Sequence, residues 1–255
     1  MSDNRALILD QFTRQAGPFA SAPGIRNERS LRLVVEATGA GPTHRTLDVA
    51  CGPGLLACAF AEVAAHATGI DLVPAMITQA RARQTELGLD NVSWQVGDVD
   101  PLPVDDDGFD IVTCRYAFHH FPRPGEVLAE MARVCRPGGR VAVIDVAASP
   151  DEAKAATFNE MEVRRDPSHV RALPLEELRS LFAGAGLADP TLTTYLLESD
   201  LDGLLSRSFP EPGDEDKVRA AIVGTVDDDR LGVPARRDGD RVVLGYPIAV
   251  LTVEI

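Results

Sequence analysis

Between residues 45 and 146, short apolar runs alternate with longer stretches whose apolar positions recur every three or four residues, the pattern of repeated strand–helix–strand units. The runs 46–50, 67–70, 92–96, 109–114 and 140–146 predict strands, and 55–65, 74–87 and 125–135 predict the helices between them. Strands this uniformly apolar belong to a parallel sheet covered on both faces. Pro74 suits a first helical turn, and Pro137, Gly138 and Gly139 read as a stop between the third helix and the next strand. Upstream, Leu31, Val34 and Val35 stand at helical spacing and predict a helix over 28–38. Residues 1–26 read as a helix followed by a Gly/Pro loop across the front of the site. Downstream, 150–172 is polar and helix-prone, 174–185 is a firm helix closed by Gly186, and 191–197 and 246–254 read as strands. The acidic connection between those two strands, 198–245, is too long to lack structure, so one or two short helices forming a lid are expected there.

The 255 residues, 45% of them apolar, suffice for one large α/β domain. Acidic side chains number 39 against 25 basic ones, a net charge of -14, and the basic residues form no patch. Nucleic acid and anionic membrane surfaces are therefore disfavoured as partners. The only lysines are Lys154 and Lys217, which leaves little scope for a catalytic lysine. Residues 1–15 hold no continuous apolar run, arguing against a signal peptide, and no stretch approaches the ~20 apolar residues of a membrane span. Cys51, Cys58, Cys114 and Cys135 form no C-x-x-C pair and sit among apolar residues, which reads as reduced, buried thiols of a cytoplasmic protein with no metal site.

The candidate chemistry begins at the first strand. Gly52 and Gly54 fall in its turn into the following helix, where the missing Cβ lets a ligand approach the backbone. Asp71, nineteen residues after Gly52, ends the second strand, where a carboxylate can accept from both ribose hydroxyls of an adenosine. This pair suits NAD or S-adenosylmethionine equally. Gly97 and Asp98 follow the third strand, and Asp98 is placed to accept from an adenine amine.

Ordered motifs separate the two cofactors. LDVACGPG at 47–54, GID at 69–71, Met76 with Ala80 and Arg81, GDVDPLPVDDDGFDIV at 97–112, HHF at 119–121 and RVCRPGGRVAVID at 133–145 strongly resemble class I S-adenosylmethionine-dependent methyltransferases. Among these, the stretch is most similar to the ubiquinone/menaquinone-biosynthesis C-methyltransferase type, methyltransferase type 11. The resemblance implies a Rossmann-like, doubly wound, seven-stranded α/β sheet, mostly parallel with an antiparallel last strand, plus a helical lid insertion. It implies one domain over 1–255, with N-terminal helices and cap at 1–44, the cofactor core at 45–146 and an acceptor-side region at 147–255. S-adenosylmethionine is the implied cofactor and a small molecule the implied acceptor, methylated at a ring carbon or a phenolic oxygen; a homodimer is left open. Asp48, Ala50, Gly52 and Gly54 would lie along the methionine portion, Asp71 and Leu72 at the ribose, and Met76, Gly97, Asp98 and Val99 around the adenine. Arg115 would offer its backbone carbonyl to the ammonium, and His120 would border the cofactor. Ala50 departs from the pattern, which commonly has glycine there. Asp48 reads equally as a brace for the glycine turn, and Asp107 and Asp110 read as turn-fixing residues.

For the acceptor side, an already activated methyl group requires alignment and dryness, and a base only where the acceptor must lose a proton. His119 and His120 sit past the fourth strand, at the edge where such folds bind ligands, and either can face the acceptor. His169, in the polar run RRDPSHVR at 164–171, is the sharper catalytic candidate, although a loop histidine is by default exposed. Asp145, ending the fifth strand, could bind a substrate hydroxyl or cap the turn. Two other readings stay open: a nicotinamide-dependent reductase, weakened because no tyrosine has a lysine four residues later, and a cofactor-binding protein with a non-methylating pocket.

Overall fold

The structure, a computed structural model, describes residues 2–22 and 24–255; Met1 and Pro23 of the expected N-terminal helix and loop lie outside that set. Five strands are parallel: β1 (Arg45–Val49), β2 (His66–Asp71), β3 (Val92–Val96), β4 (Phe109–Arg115) and β5 (Cys135–Val146). β6 (Thr191–Asp200), β7 (Ala235–Asp238) and β8 (Arg241–Glu254) complete an eight-stranded sheet of order β3-β2-β1-β4-β5-β8-β6, with β7 pairing on β8 alone. The last strand runs antiparallel to β5, β6 and β7.

Alternation along the strands feeds two cores. Ala142 and Ile144 of β5 pack with Leu31 and Val34 of α2 (Glu28–Thr38), Phe60 of α3 (Leu55–Ala61) and Ile77 of α4 (Pro74–Leu87). Val141 and Val143 point the other way, to Leu128 and Met131 of α5 (Pro124–Val134) and Phe182 of α7 (Leu175–Gly184). Both strand faces are therefore dry, which is why these strands read as continuous apolar runs. At about 25 cal/mol per Å² of buried apolar surface, each of these side chains larger than alanine contributes roughly 1.5–3 kcal/mol.

Three local expectations are corrected. The helix expected over 55–65 ends at Ala61, because the Asn91 amide donates to the carbonyls of Ala61 and Ala64 at 2.9 and 3.1 Å and holds the chain in a turn. Pro137, Gly138 and Gly139 do not separate helix from strand; they form a bulge inside β5, whose Cys135 pairs with Phe109 and whose Arg140 pairs with Ile111. The 198–245 segment holds α8 (Leu201–Ser206) and α9 (Glu215–Asp228), but also β7 and the start of β8, so the expected helical lid is partly a hairpin. α9 packs on α6 (Glu152–Arg165). The cover over the front of the sheet is instead α1 (Ser2–Ser21), whose Ile8, Leu9, Phe12 and Ala16 pack against Leu72, Val73 and Met76. Its polar side chains tie it down: Asn4 donates to the His120 carbonyl at 2.7 Å, Gln11 to the Phe209 carbonyl at 3.1 Å and Gln15 to Asp166 at 3.1 Å.

Candidate active site

A cavity of about 410 Å³ opens at the carboxyl ends of β1, β2 and β4, with the loop after β3 on one side and α1 across the front. This is the point where chain order reverses within the sheet, between β1 and β4, and where open α/β sheets bind their ligands. Asp48, Ala50, Gly52, Asp71, Leu72, Met76, Asp98, Val99, Arg115 and His120 all line it. Gly54 and Gly97 are not among the lining residues: a Cβ on Gly54 would meet Trp94 and Ala80, and one on Gly97 would meet Pro103 and Ile70.

The turn after β1 is built from left-handed residues. Ala50, Gly52 and Gly54 have φ of 54°, 53° and 75°. Gly54 is required twice, by its φ and by a Cβ position only 2.4 Å from the Trp94 ring. Gly52 has open space where its Cβ would be, and its N–H donates to Asp71 at 2.7 Å. Ala50 holds a conformation that costs an L-residue about 1–2 kcal/mol.

Two buried carboxyls face this turn. Asp71 also accepts from the Val73 N–H at 2.8 Å, yet burial outweighs both backbone bonds and pushes its pKa up to about 6. Asp48 is pushed up to about 7, chiefly by burial and also by the negative charge of Asp71, against the Thr113 hydroxyl that donates to it at 3.0 Å and the Arg115 charge. Asp48 thus braces β1 against β4 and lines the cavity at once. Asp98, one-third exposed, is ion-paired with Arg5 of α1. Arg115 stacks on the Tyr116 ring at 4.3 Å and donates to the Ile25 carbonyl at 2.9 Å. Asp110 accepts from the Arg45 N–H at 2.6 Å and pairs with Arg136, a structural position away from the cavity. An open glycine turn, two carboxyls and an apolar wall of Leu72, Met76 and Val99 fit a positively charged adenosyl ligand.

A second cavity of about 110 Å³ adjoins the first, and both are bounded by Phe12, Phe19, Ile25, Tyr116 and His120. It gathers His119, Asp145 and His169 with Glu162 and Arg165 of α6, Arg207 and Tyr246. The sequence reading missed these last four. Only their polarity marks them, and a charged residue on a polar helix is ordinarily solvated. His120 lies 5% exposed, and because the Ser168 carbonyl 3.0 Å from its Nδ1 can only accept, Nδ1 carries the proton and Nε2 the lone pair. Burial, helped by neighbouring His119, pulls its pKa down to about 4.

His169 departs from its default as an exposed loop residue: it is 5% exposed. Its Nε2 lies 2.8 Å from the side-chain amide oxygen of Asn159, which also accepts from the Ala172 N–H, and its Nδ1 is buried without a partner among the described residues. His169 lines the second cavity, with its ring 5.3 and 6.2 Å from those of His119 and His120. Burial and the two neighbouring histidines hold its pKa far below the usual imidazole range.

Comparison with known proteins agrees with this geometry. Residues 47–143 match the methyltransferase domain family. Over 206 residues the chain is 32% identical to the uncharacterized methyltransferase YcgJ of Bacillus subtilis (strain 168), covering 81% of each protein. The crystal structure of YcgJ superposes with a TM-score of 0.79 at 29% identity, over 89% of this chain and 97% of that one. The demethylmenaquinone methyltransferase of Renibacterium salmoninarum is 30% identical over 174 residues, 68% of this chain and 66% of its own length. The chain belongs to this methyltransferase family. It is an enzyme dependent on S-adenosylmethionine, which sets aside the nicotinamide alternative.

Proposed function

We propose that the protein methylates a small molecule held in the second cavity, at a ring carbon or a phenolic oxygen. The observation that carries this is the shared wall of Phe12, Phe19, Ile25, Tyr116 and His120, which brings a cofactor-sized and a ring-sized cavity face to face. The similarity to a demethylmenaquinone methyltransferase supports a hydroxylated ring as acceptor. When bound, S-adenosylmethionine supplies a methyl group on a sulfonium, already activated for in-line attack.

The chain's own residues bind, orient and exclude water. We assign Asp71 to the ribose hydroxyls, Asp98 to the adenine amine, Leu72, Met76 and Val99 to the ring faces, and Asp48, Ala50 and Gly52 to the methionine portion. The Arg115 backbone carbonyl takes the ammonium. His120, neutral at physiological pH, presents its Nε2 lone pair where the cavities meet and orients the acceptor. Asp145 belongs to the acceptor side, where it acts through its neighbour. The four cysteines, all buried and free, suit a cytoplasmic, reducing setting.

The test is a thermal-shift titration with S-adenosylmethionine, S-adenosylhomocysteine, NADH and NADPH, followed by mass spectrometry of a panel of phenols and quinols incubated with enzyme and cofactor. A ligand at a hundred times its Kd stabilises by about 2.7 kcal/mol, or roughly 5–10 °C in a domain of this size. Shifts with the first two ligands and a methylated phenol or quinol are expected. S-adenosylmethionine binding without any turnover to S-adenosylhomocysteine across the panel would return the non-methylating reading.

A further inference from the structure

Among the described residues, His119 is the imidazole of the second cavity whose ring nitrogen meets a carboxylate directly. Asp145, at the end of β5 and 2% exposed, lies 2.6 Å from His119 Nδ1 and also accepts from the His119 and Val146 N–H groups at 3.2 and 2.6 Å. Those two backbone bonds fix the carboxylate, and the carboxylate fixes the ring. Since the ionised carboxylate can only accept, Nδ1 carries the proton and Nε2 holds a lone pair. Nε2 has no hydrogen bond among the described residues, and the side chain keeps 14% exposure where it borders the cavity.

We infer that His119, oriented by Asp145, takes the proton of an acidic hydroxyl on the acceptor, and that the acceptor is therefore a phenol or an enol. This rests on the reading that the second cavity holds the acceptor. In the step, the acceptor's O–H bond breaks, its electron pair stays on oxygen and its proton passes to Nε2. Asp145 then faces an imidazolium. The oxyanion left behind is activated at its oxygen and at the conjugated ring carbons, so one device serves O- or C-methylation. Phenols and enols are acidic enough to give up the proton to an imidazole before the methyl moves, whereas an aliphatic alcohol loses its proton only in concert with bond formation, and an amine would itself carry the proton. A cavity of about 110 Å³ walled by Phe12, Tyr116 and the Phe158–Tyr246 edge-to-face pair accommodates a single ring.

The surrounding charges support the assignment. Facing His119 are Asp145 from β5, adjacent His120, His169 from the loop after α6, and Glu162 and Arg165 from α6. Arg165 and Glu162 are paired at 2.6 Å, and the Tyr246 hydroxyl donates to Glu162 at 3.0 Å, so they largely compensate one another; Arg207 lines the far side. Burial opposes a charge on His119, but Asp145 outweighs it and raises the pKa, whereas His120 beside it is pushed down. Two imidazoles 4.3 Å apart are thus driven in opposite directions, His119 made the stronger base and His120 the weaker.

The probe is 4-nitrophenol, whose phenolate absorbs in the visible, titrated into S-adenosylhomocysteine-loaded protein at a pH below the probe's own pKa. The bound probe should show the phenolate band, and His119→Gln should return it to the neutral-phenol spectrum. Asp145 is a positioning residue, so Asp145→Asn should raise the bound probe's apparent pKa by about one unit, a tenfold loss of phenolate. Calorimetry should find S-adenosylhomocysteine affinity unchanged in both variants. Should a variant not fold, the wild-type His119 ring titration followed by NMR decides: its midpoint rises when a phenolate is bound and does not when a neutral phenol is. A neutral bound probe, a phenolate band persisting in His119→Gln, or no probe binding to the loaded protein overturns the inference. Failure to bind S-adenosylhomocysteine at all is a separate outcome and counts against the cofactor-site assignment.

Discussion

Replacing Asp71 with asparagine sets burial against hydrogen bonding at the edge of the cofactor cavity. The carboxyl is 7% exposed and accepts from the N–H groups of Gly52 and Val73 at 2.7 and 2.8 Å. Those bonds favour the ion, yet burial dominates and raises the pKa from 3.8 to about 6. A shift of about two units is worth roughly 3 kcal/mol. Because the folded-state value lies above the unfolded one, that stabilisation is full below about pH 4 and is lost as pH rises through about 6. A side-chain amide at this position does not titrate. Its oxygen accepts from only one of the two N–H groups and its NH2 faces the other, a cost of about 1–3 kcal/mol at every pH. Asp71→Asn should therefore start below the wild type near about pH 4 and gain on it by up to about 3 kcal/mol, roughly 6–12 °C in Tm, by about pH 7.5. The assay is differential scanning calorimetry of both proteins, without cofactor, across that range. A difference that stays flat, or turns against the variant as pH rises, would refute the reasoning and place the backbone bonds above burial. The same variant should bind S-adenosylhomocysteine about 10–100-fold more weakly, since a hydrogen bond to a charged group is worth roughly 1.5–3 kcal/mol.

Ala50→Gly should relieve the left-handed strain at φ 54°. The relief of about 1–2 kcal/mol, less about 0.5–1 kcal/mol of glycine backbone entropy, predicts a Tm higher by about 1–4 °C; a lower Tm by calorimetry would show that the turn carries no such strain. Gly54→Ala should do the reverse, because the new Cβ meets Trp94 at 2.4 Å on a backbone at φ 75°. A loss of about 2–5 kcal/mol is expected from overpacking and strain together. Trp94 is the sole tryptophan, so its emission reports the displacement directly, and an unshifted spectrum at unchanged stability would contradict the packing.

The strands and most helices were legible because their signals are local. A residue pattern shows whether both faces of a segment are buried, whatever buries them, and glycine or proline punctuates a turn through its own backbone limits. The same locality explains the errors. Pro137-Gly138-Gly139 has stop-signal chemistry, but partners on β4 and at the chain end make it a bulge, with Gly138 donating to the Ile255 carbonyl at 2.7 Å. That the candidate cofactor residues would gather at one cavity was readable for a related reason: they follow successive strands whose order the βαβ repeat dictates.

The acceptor side was not readable in this way. His119 meets Asp145 across 26 positions, His120 meets Ser168 across 48, and α1 is fastened to Phe209 across 198. Nothing in the run 164–171 announces that Asn159 will bury His169, or that Gln15 will reach Asp166. The chain alone therefore determined the sheet, its cofactor edge and the class of chemistry, since those follow from periodicity and turn residues. Tertiary structure alone decided which imidazole stands against a carboxylate and which against a backbone carbonyl. A buried polar group is tolerated only once its partner is in place, and those partners come from distant segments.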